Sequence, residues 1–109
     1  MRITYDKLVR DRIPEIMDGA GVRYEVDTLE PDAFREALLA KVVEEAEELR
    51  AATGRGEVVK EIADAFEVLD ALMALEGIEA GEVFEVQAAR RRDRGGFERR
   101  LVLRWTESS

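Results

Sequence analysis

Two long stretches of the chain repeat apolar residues at the spacing of an α-helix. Residues 31–52 and 57–76 place apolar side chains three and four positions apart, which predicts two long helices. Only the turn sequence TGRG, residues 53–56, separates them, and Gly77 is a suitable residue to end the second helix. A turn this short makes two helices antiparallel neighbours. We therefore expect a helical hairpin at the centre of a mainly α-helical protein.

The rest of the sequence predicts smaller elements on either side of this hairpin. Residues 80–93 are expected to form a third long helix, and Pro14 begins a short one. Residues 22–26 (VRYEV) and 100–105 (RLVLRW) alternate apolar and polar side chains, which is typical of strands. We expect these two segments to pair as a small peripheral β-hairpin or strand pair.

Acidic residues fall inside the apolar faces of the two hairpin helices. Because an α-helix turns by about 100° per residue, Glu45 lies in the same arc as Leu38, and Glu48 lies at the margin of that arc. On the second helix Glu61 lies inside the apolar arc and Asp64 lies at its margin. Each helix therefore carries one acid within its apolar face and another acid three residues further on.

The same four acids are expected to meet at one place in the hairpin. Glu48 and Glu61 lie equally far from the turn, and so do Glu45 and Asp64. Carboxylates brought together in this way lose hydration and repel one another. Lys41 is a neighbouring cation, but a single lysine cannot balance four acids. The sequence therefore predicts that the four carboxylates hold a divalent cation.

The composition narrows the choice of cation and of partners. The 109 residues fit one domain, and they include no histidine and no cysteine, so the ligands are oxygen atoms only. Oxygen ligands suit Mg²⁺, with Mn²⁺ as an alternative. There is no apolar run of membrane-spanning length and no signal peptide, so we expect a cytoplasmic protein without a membrane partner. A net charge of −8 disfavours nucleic acid as a partner, although residues 90–104 are rich in arginine.

The acids also occur in a recognisable order. The chain reads Glu45-Ala-Glu-Glu48, then twelve residues, then Glu61-Ile-Ala-Asp64, and Glu44 completes the form EExxE. The chain also contains YDKLVRDRIPEI and RRRDRGGFERRLVL. Together these motifs resemble the all-α nucleoside triphosphate pyrophosphohydrolase superfamily, in its MazG-like branch often labelled phosphoribosyl-ATP pyrophosphohydrolase-like. The resemblance covers nearly the whole chain and implies a single MazG-like domain, residues 1–109.

This resemblance implies an enzyme. Its members use Mg²⁺ to hydrolyse the α–β phosphoanhydride of a nucleoside triphosphate-type substrate, which gives a monophosphate and pyrophosphate. The implied metal ligands are Glu45, Glu48, Glu61 and Asp64. Glu44 is implied as a further ligand or as the base that orients the attacking water, which makes Glu44 and Glu45 the predicted catalytic pair. The resemblance also implies a helical bundle that forms a homodimer or homotetramer, in agreement with apolar arcs too wide for one helix–helix contact.

Cationic residues suited to substrate phosphates lie beside the acids and towards both ends of the chain, because lysine and arginine bind phosphate oxygens. The predicted substrate-binding residues are Lys7, Arg10, Arg12, Lys41, Arg91 and Arg94. For the first three, the alternative is internal ion pairing with nearby aspartates or with the acidic helices. For the arginines at residues 90–92, the alternative is a solvated helix end at which positive charge suits the helix dipole.

Three functions follow from these observations. A general nucleotide pyrophosphohydrolase is favoured, because the opening KLVRDRIPE is similar to that group. The alternatives are the phosphoribosyl-ATP pyrophosphohydrolase of histidine biosynthesis and a non-catalytic helical dimerisation module. A dimerisation module accounts for the wide apolar faces, but it gives no reason for acids inside them.

Overall fold

The fold consists of helices joined by short or irregular connections. The computed structural model describes residues 1–109 and contains four helices and no strand: α1 (Ile13–Gly19), α2 (Pro31–Ala51), α3 (Arg55–Glu76) and α4 (Ala80–Arg94). The prediction of a mainly α-helical protein is therefore confirmed. None of the four helices combines the length and the apolar character that crossing a membrane requires.

The backbone divides into two compact units, Met1–Gly77 and Ile78–Ser109. The first unit contains α1, α2 and α3, and the second contains α4 and the residues that follow it. The interpretation of residues 1–109 as a single functional domain stays a prediction.

Local sequence sets where the hairpin helices begin and end. Pro31 occupies the first turn of α2, where its missing N–H costs no hydrogen bond. Between the helices, the backbone N–H of Thr53 donates to Glu57 Oε2 at 2.8 Å, which fixes the start of α3. Gly77 ends α3 in the left-handed conformation, with φ of 69°. The predicted bounds of the hairpin helices therefore agree closely with the observed ones.

The hairpin is antiparallel and has a narrow core. At its open end, Arg35 Nε near the start of α2 donates to Glu76 Oε1 at the end of α3, at 2.6 Å. The only side chains of the chain that are buried are Leu38 and Glu45 on α2 and Val68 on α3. One apolar side chain from each helix is thus buried, and an acid shares the interface with them.

Much of the apolar surface of α3 remains uncovered. Val59, Ile62, Phe66 and Leu69 follow one another at helical spacing and are 40–64% exposed; we call them the α3 stripe. Val68 is the buried residue of α3, so α2 packs against the side of the apolar arc that carries Val68. The helix pair can cover only one side of an arc this wide, and the α3 stripe is the side left over.

The predicted β-hairpin or strand pair is wrong. Residues 22–26 and 100–105 form no strand, and they belong to different compact units. Alternation stabilises a strand only when one face is buried and a neighbouring backbone supplies hydrogen bonds. Here the side chains of both segments are exposed, including Leu103 at 80% and Trp105 at 73%. The alternation in the sequence is therefore not matched by a paired sheet.

Replacing Gly77 by alanine tests the C-terminal end of α3. We expect Gly77→Ala to lower the free energy of unfolding by about 1 kcal/mol, because a Cβ atom disfavours the left-handed conformation. Gly56→Ala is the matched control, since Gly56 lies in the same helix without a positive φ and with open space around its Cα. Denaturant unfolding should show a loss for Gly77→Ala only, and equal losses in both variants would contradict this account.

Candidate metal centre

The acidic residues of the hairpin form two overlapping groups. Carboxylate oxygens of Glu45, Glu61 and Asp64 lie within 4.8 Å of one another, and so do those of Glu44, Glu45 and Glu48. Glu45 belongs to both groups and lies at the contact between the helices. Glu45 thus joins the acids of α2 to those of α3, whereas Glu48 is exposed and is grouped only with Glu44 and Glu45 on its own helix.

Two of these acids present buried oxygens that have no partner. Glu45 is 5% exposed, and both Glu45 Oε2 and Glu61 Oε2 are buried without a hydrogen bond. Burial raises the pKa of Glu45, and the negative charge of Glu48 raises it further. Unsatisfied buried acceptors are rare in folded proteins because each one costs about 1–3 kcal/mol. The two oxygens, one from each helix, are therefore available to a cation.

The donor set fits a hard divalent ion. Every candidate ligand is a carboxylate, and Mg²⁺ and Mn²⁺ prefer oxygen ligands. A cation between Glu45 and Glu61 would satisfy both unpartnered oxygens and would reduce the repulsion among the acids. The burial of these oxygens thus provides a structural reason for a metal that the acid spacing alone does not.

Two lysines neutralise part of the charge on α2. Lys7 Nζ and Lys41 Nζ both donate to Glu44 Oε1 at 3.2 Å. Partial burial alone would raise the pKa of Glu44, but the hydrogen bonds from Lys41 and Lys7 outweigh it and lower that pKa. Lys41 also lies 3.8 Å from Glu45 Oε1. Glu44 is therefore held as an ionised carboxylate beside the buried Glu45.

Two further cations contact the acids of α3. Arg10 donates to Asp64 Oδ1 at 2.8 Å, and Lys60 donates to Asp64 Oδ2 at 3.2 Å and to Glu61 Oε1 at 3.1 Å. These hydrogen bonds to Glu61 and Asp64 raise the pKa of Lys60. Lys60 was missed by the sequence analysis, although its spacing of four residues before Asp64 on one helix predicts such a pair.

Two clefts adjoin the acids. The first has a volume of about 290 Å³ and is lined by Lys7, Arg10, Lys41, Glu44, Glu45 and Asp64, among others. The second, of about 350 Å³, lies nearer the turn and is lined by Glu48, Lys60 and Glu61, among others. Pockets for small molecules span about 300–1,000 Å³, so each cleft lies near the lower end of that range.

The other predicted substrate-binding residues are Arg12, Arg91 and Arg94. Arg12 pairs with Glu15, one turn along α1, at 3.0 Å, and does not line either cleft. Arg91 and Arg94 lie in the last turn of α4, in the second compact unit. Arg91 pairs with Glu98 and thereby lowers the pKa of that carboxyl group. Binding of substrate by these three arginines stays a prediction.

Comparison with known proteins gives a family for the chain. The family model described as phosphoribosyl-ATP pyrophosphohydrolase matches residues 24–91, which include α2, α3 and all five acids. The chain belongs to this family, which is part of the MazG-like nucleoside triphosphate pyrophosphohydrolase superfamily. Members of this family are described as pyrophosphohydrolases.

One relative adds a shorter match. A protein of Mycolicibacterium smegmatis (strain ATCC 700084 / mc(2)155), described as uncharacterized, is 49% identical over 49 residues, which are 45% of this chain and 50% of the relative. The matched part therefore spans about half the length of that protein. No solved structure gives a significant match.

Proposed function

We propose that the protein is a Mg²⁺-dependent pyrophosphohydrolase that cleaves the α–β phosphoanhydride of a nucleoside triphosphate-type substrate. Water is added across this bond as it breaks, and the products are a nucleoside monophosphate and pyrophosphate. The observation that carries the proposal is the pair of buried, unpartnered oxygens on Glu45 and Glu61, two acids of one carboxylate group that joins two helices of a pyrophosphohydrolase family member.

The residues present indicate how a metal would be held. Glu45, Glu61 and Asp64 would bind one Mg²⁺ between the helices, and Glu48 would extend the ligand set on the side of α2. When bound, Mg²⁺ neutralises charge on phosphate oxygens and lowers the pKa of coordinated water. Mn²⁺ is expected to replace it, because it takes the same type of ligand.

The neighbouring side chains supply orientation and charge. Glu44 has a lowered pKa, so it is ionised and accepts a hydrogen bond from water, which suits it to orienting the attacking molecule. Lys41 holds Glu44 in place through its 3.2 Å hydrogen bond. The ammonium of Lys41 and the side chains of Lys7 and Arg10 line the same cleft and are placed to meet phosphate oxygens.

There are two candidate substrates. The favoured one is a general nucleoside triphosphate, as the opening motif of the chain indicated. Phosphoribosyl-ATP is the second candidate, because the matched family carries that name. Both substrates contain the same phosphoanhydride bond, so the metal centre and the products on the pyrophosphate side are common to both.

Hydrolysis in ¹⁸O-labelled water tests the bond that is cleaved. A panel of canonical and damaged nucleoside triphosphates, with phosphoribosyl-ATP, should yield pyrophosphate from at least one member, and only when Mg²⁺ or Mn²⁺ is added. Mass spectrometry shows which phosphorus the water attacks, because the label enters the monophosphate on attack at the α-phosphorus and enters pyrophosphate on attack at the β-phosphorus. Inorganic phosphate as the product would contradict the proposed reaction; no turnover of any member would favour the non-catalytic dimerisation module.

We further propose that the α3 stripe is covered by a second copy of the chain in a homodimer or homotetramer. Phe66 is 64% exposed and Ile62 is 40% exposed, although they lie at the centre of a continuous apolar row. A row of this kind on a helix is the usual contact surface of a helical bundle. Burial against another copy would also enlarge the core, which contains only Leu38 and Val68 as apolar residues. The cytoplasmic location expected from the sequence stays a prediction.

A further inference from the structure

Residues 7–10 (KLVR) line the first acidic cleft and place one cation on each helix of the hairpin; we call them the cationic strap. Lys7 donates to Glu44 on α2 at 3.2 Å, and Arg10 donates to Asp64 on α3 at 2.8 Å. The strap lies outside residues 24–91, the part of the chain that the family model matches.

The charges of the strap equal the charge of one divalent ion. Five carboxylates and four cations (Lys7, Arg10, Lys41 and Lys60) give the clefts a formal charge of −1. Without the two strap cations the formal charge is −3, and one divalent cation restores it to −1. The strap is therefore a suitable counter-ion for the acids when no metal is bound.

Arg10 and a metal compete for Asp64, and Lys7 contacts Glu44, whose carboxylate lies in one group with those of Glu45 and Glu48. Both oxygens of Asp64 already accept hydrogen bonds, one from Arg10 and one from Lys60. A divalent cation at Asp64 would lie close to the guanidinium of Arg10, and like charges at that distance repel each other. Binding of the metal therefore weakens the contact between Arg10 and Asp64.

The strap is held weakly enough to be displaced. The side chains of Lys7 and Arg10 are 45% and 59% exposed, and ion pairs with such exposure contribute little. No backbone–backbone hydrogen bond joins residues 1–9 to the helices, and the bond from Ile13 N–H to Arg10 oxygen lies at the end of the strap. These residues are held by three exposed ion pairs, of Lys7 with Glu44 and of Arg10 with Asp64 and Glu67, and by the half-buried Leu8.

We propose that the cationic strap neutralises the acidic clefts in the metal-free protein and is displaced from Glu44 and Asp64 when a divalent cation binds. This inference rests on the proposed metal centre and adds a device that regulates it. The strap opposes binding of the metal when no nucleotide is present. Its release frees two cations at the mouth of the cleft.

Titration with Mn²⁺ alone, in the absence of nucleotide, tests the strap. Calorimetry should show that Arg10→Gln binds Mn²⁺ about two- to fivefold more tightly than Arg23→Gln, a range that corresponds to the strength of one exposed ion pair. Arg23→Gln is the matched control, because it removes the same charge from an exposed residue that pairs with no carboxylate. Lys7→Gln should act in the same direction through Glu44.

The outcomes separate the strap from the metal centre. Weaker binding by Arg10→Gln and Lys7→Gln than by the control would show that these cations support the ligands, and equal binding would show no competition. Either result would contradict the proposed displacement of the strap and would leave the proposed metal centre unaffected. Absence of Mn²⁺ binding in the parent and in all three variants would overturn both proposals.

Discussion

Replacing Glu45 by glutamine is expected to reduce turnover by about 100-fold or more while making the metal-free protein more stable. Turnover should fall because Glu45 belongs to both acidic groups. No other single replacement would remove a ligand shared by both groups. Stability should rise because Glu45 is only 5% exposed and its charge is repelled by neighbouring acids. Removal of that charge should raise the free energy of unfolding of the metal-free protein by about 1 kcal/mol.

Glu47→Gln is the control for this variant. Glu47 lies on the same helix two residues away, is exposed and pairs with no cation, so its replacement should change neither quantity. Pyrophosphate release measures turnover, and urea unfolding with a chelator present measures stability. A Glu45→Gln protein that is markedly less stable than the Glu47→Gln protein without metal would contradict the idea that Glu45 is destabilised until a cation binds.

Replacing Phe66 by glutamate is expected to dissociate the oligomer. A charge in the middle of the α3 stripe has to be buried or the contact has to open, so the dissociation constant should rise by about 30-fold or more. Ala40→Glu is the control, because it places the same charge on an exposed position of α2, away from the α3 stripe.

Sedimentation velocity over a range of concentrations measures this effect. The parent and Ala40→Glu should sediment as the same oligomer, and Phe66→Glu should sediment as a monomer. A parent chain that is monomeric at high concentration would contradict the proposed second copy. Equal association of Phe66→Glu and the control would place the contact on another surface.

The long helices could be predicted because the residues that define each helix lie within it or at its ends. Apolar spacing, Pro31 in the first turn of α2 and Gly77 at the end of α3 all lie within the elements they define. The same local reasoning failed for residues 22–26 and 100–105. Alternation describes the two faces of a segment, whereas a strand also requires a partner at another place in the chain, and no local pattern supplies that information.

The acids were predictable for a geometric reason, and most of their cationic partners were not. Helical rotation placed Glu45 and Glu61 on faces that a short turn brings together, and the structure has them in one group. The pairing of Arg10 with Asp64 joins residues 54 positions apart through a segment without regular structure, so spacing carries no signal for it. Rotation angles within α3 also do not predict which side of its apolar arc packs against α2.

The central claim is that carboxylates from α2 and α3 together hold a divalent cation. Diffraction from crystals soaked in Mn²⁺, recorded at a wavelength where manganese scatters anomalously, tests it most directly. An anomalous peak within about 2.5 Å of oxygens from both Glu45 and Glu61 is the expected result. Strong anomalous peaks only at other surface acids, or none at high Mn²⁺ concentration, would contradict it.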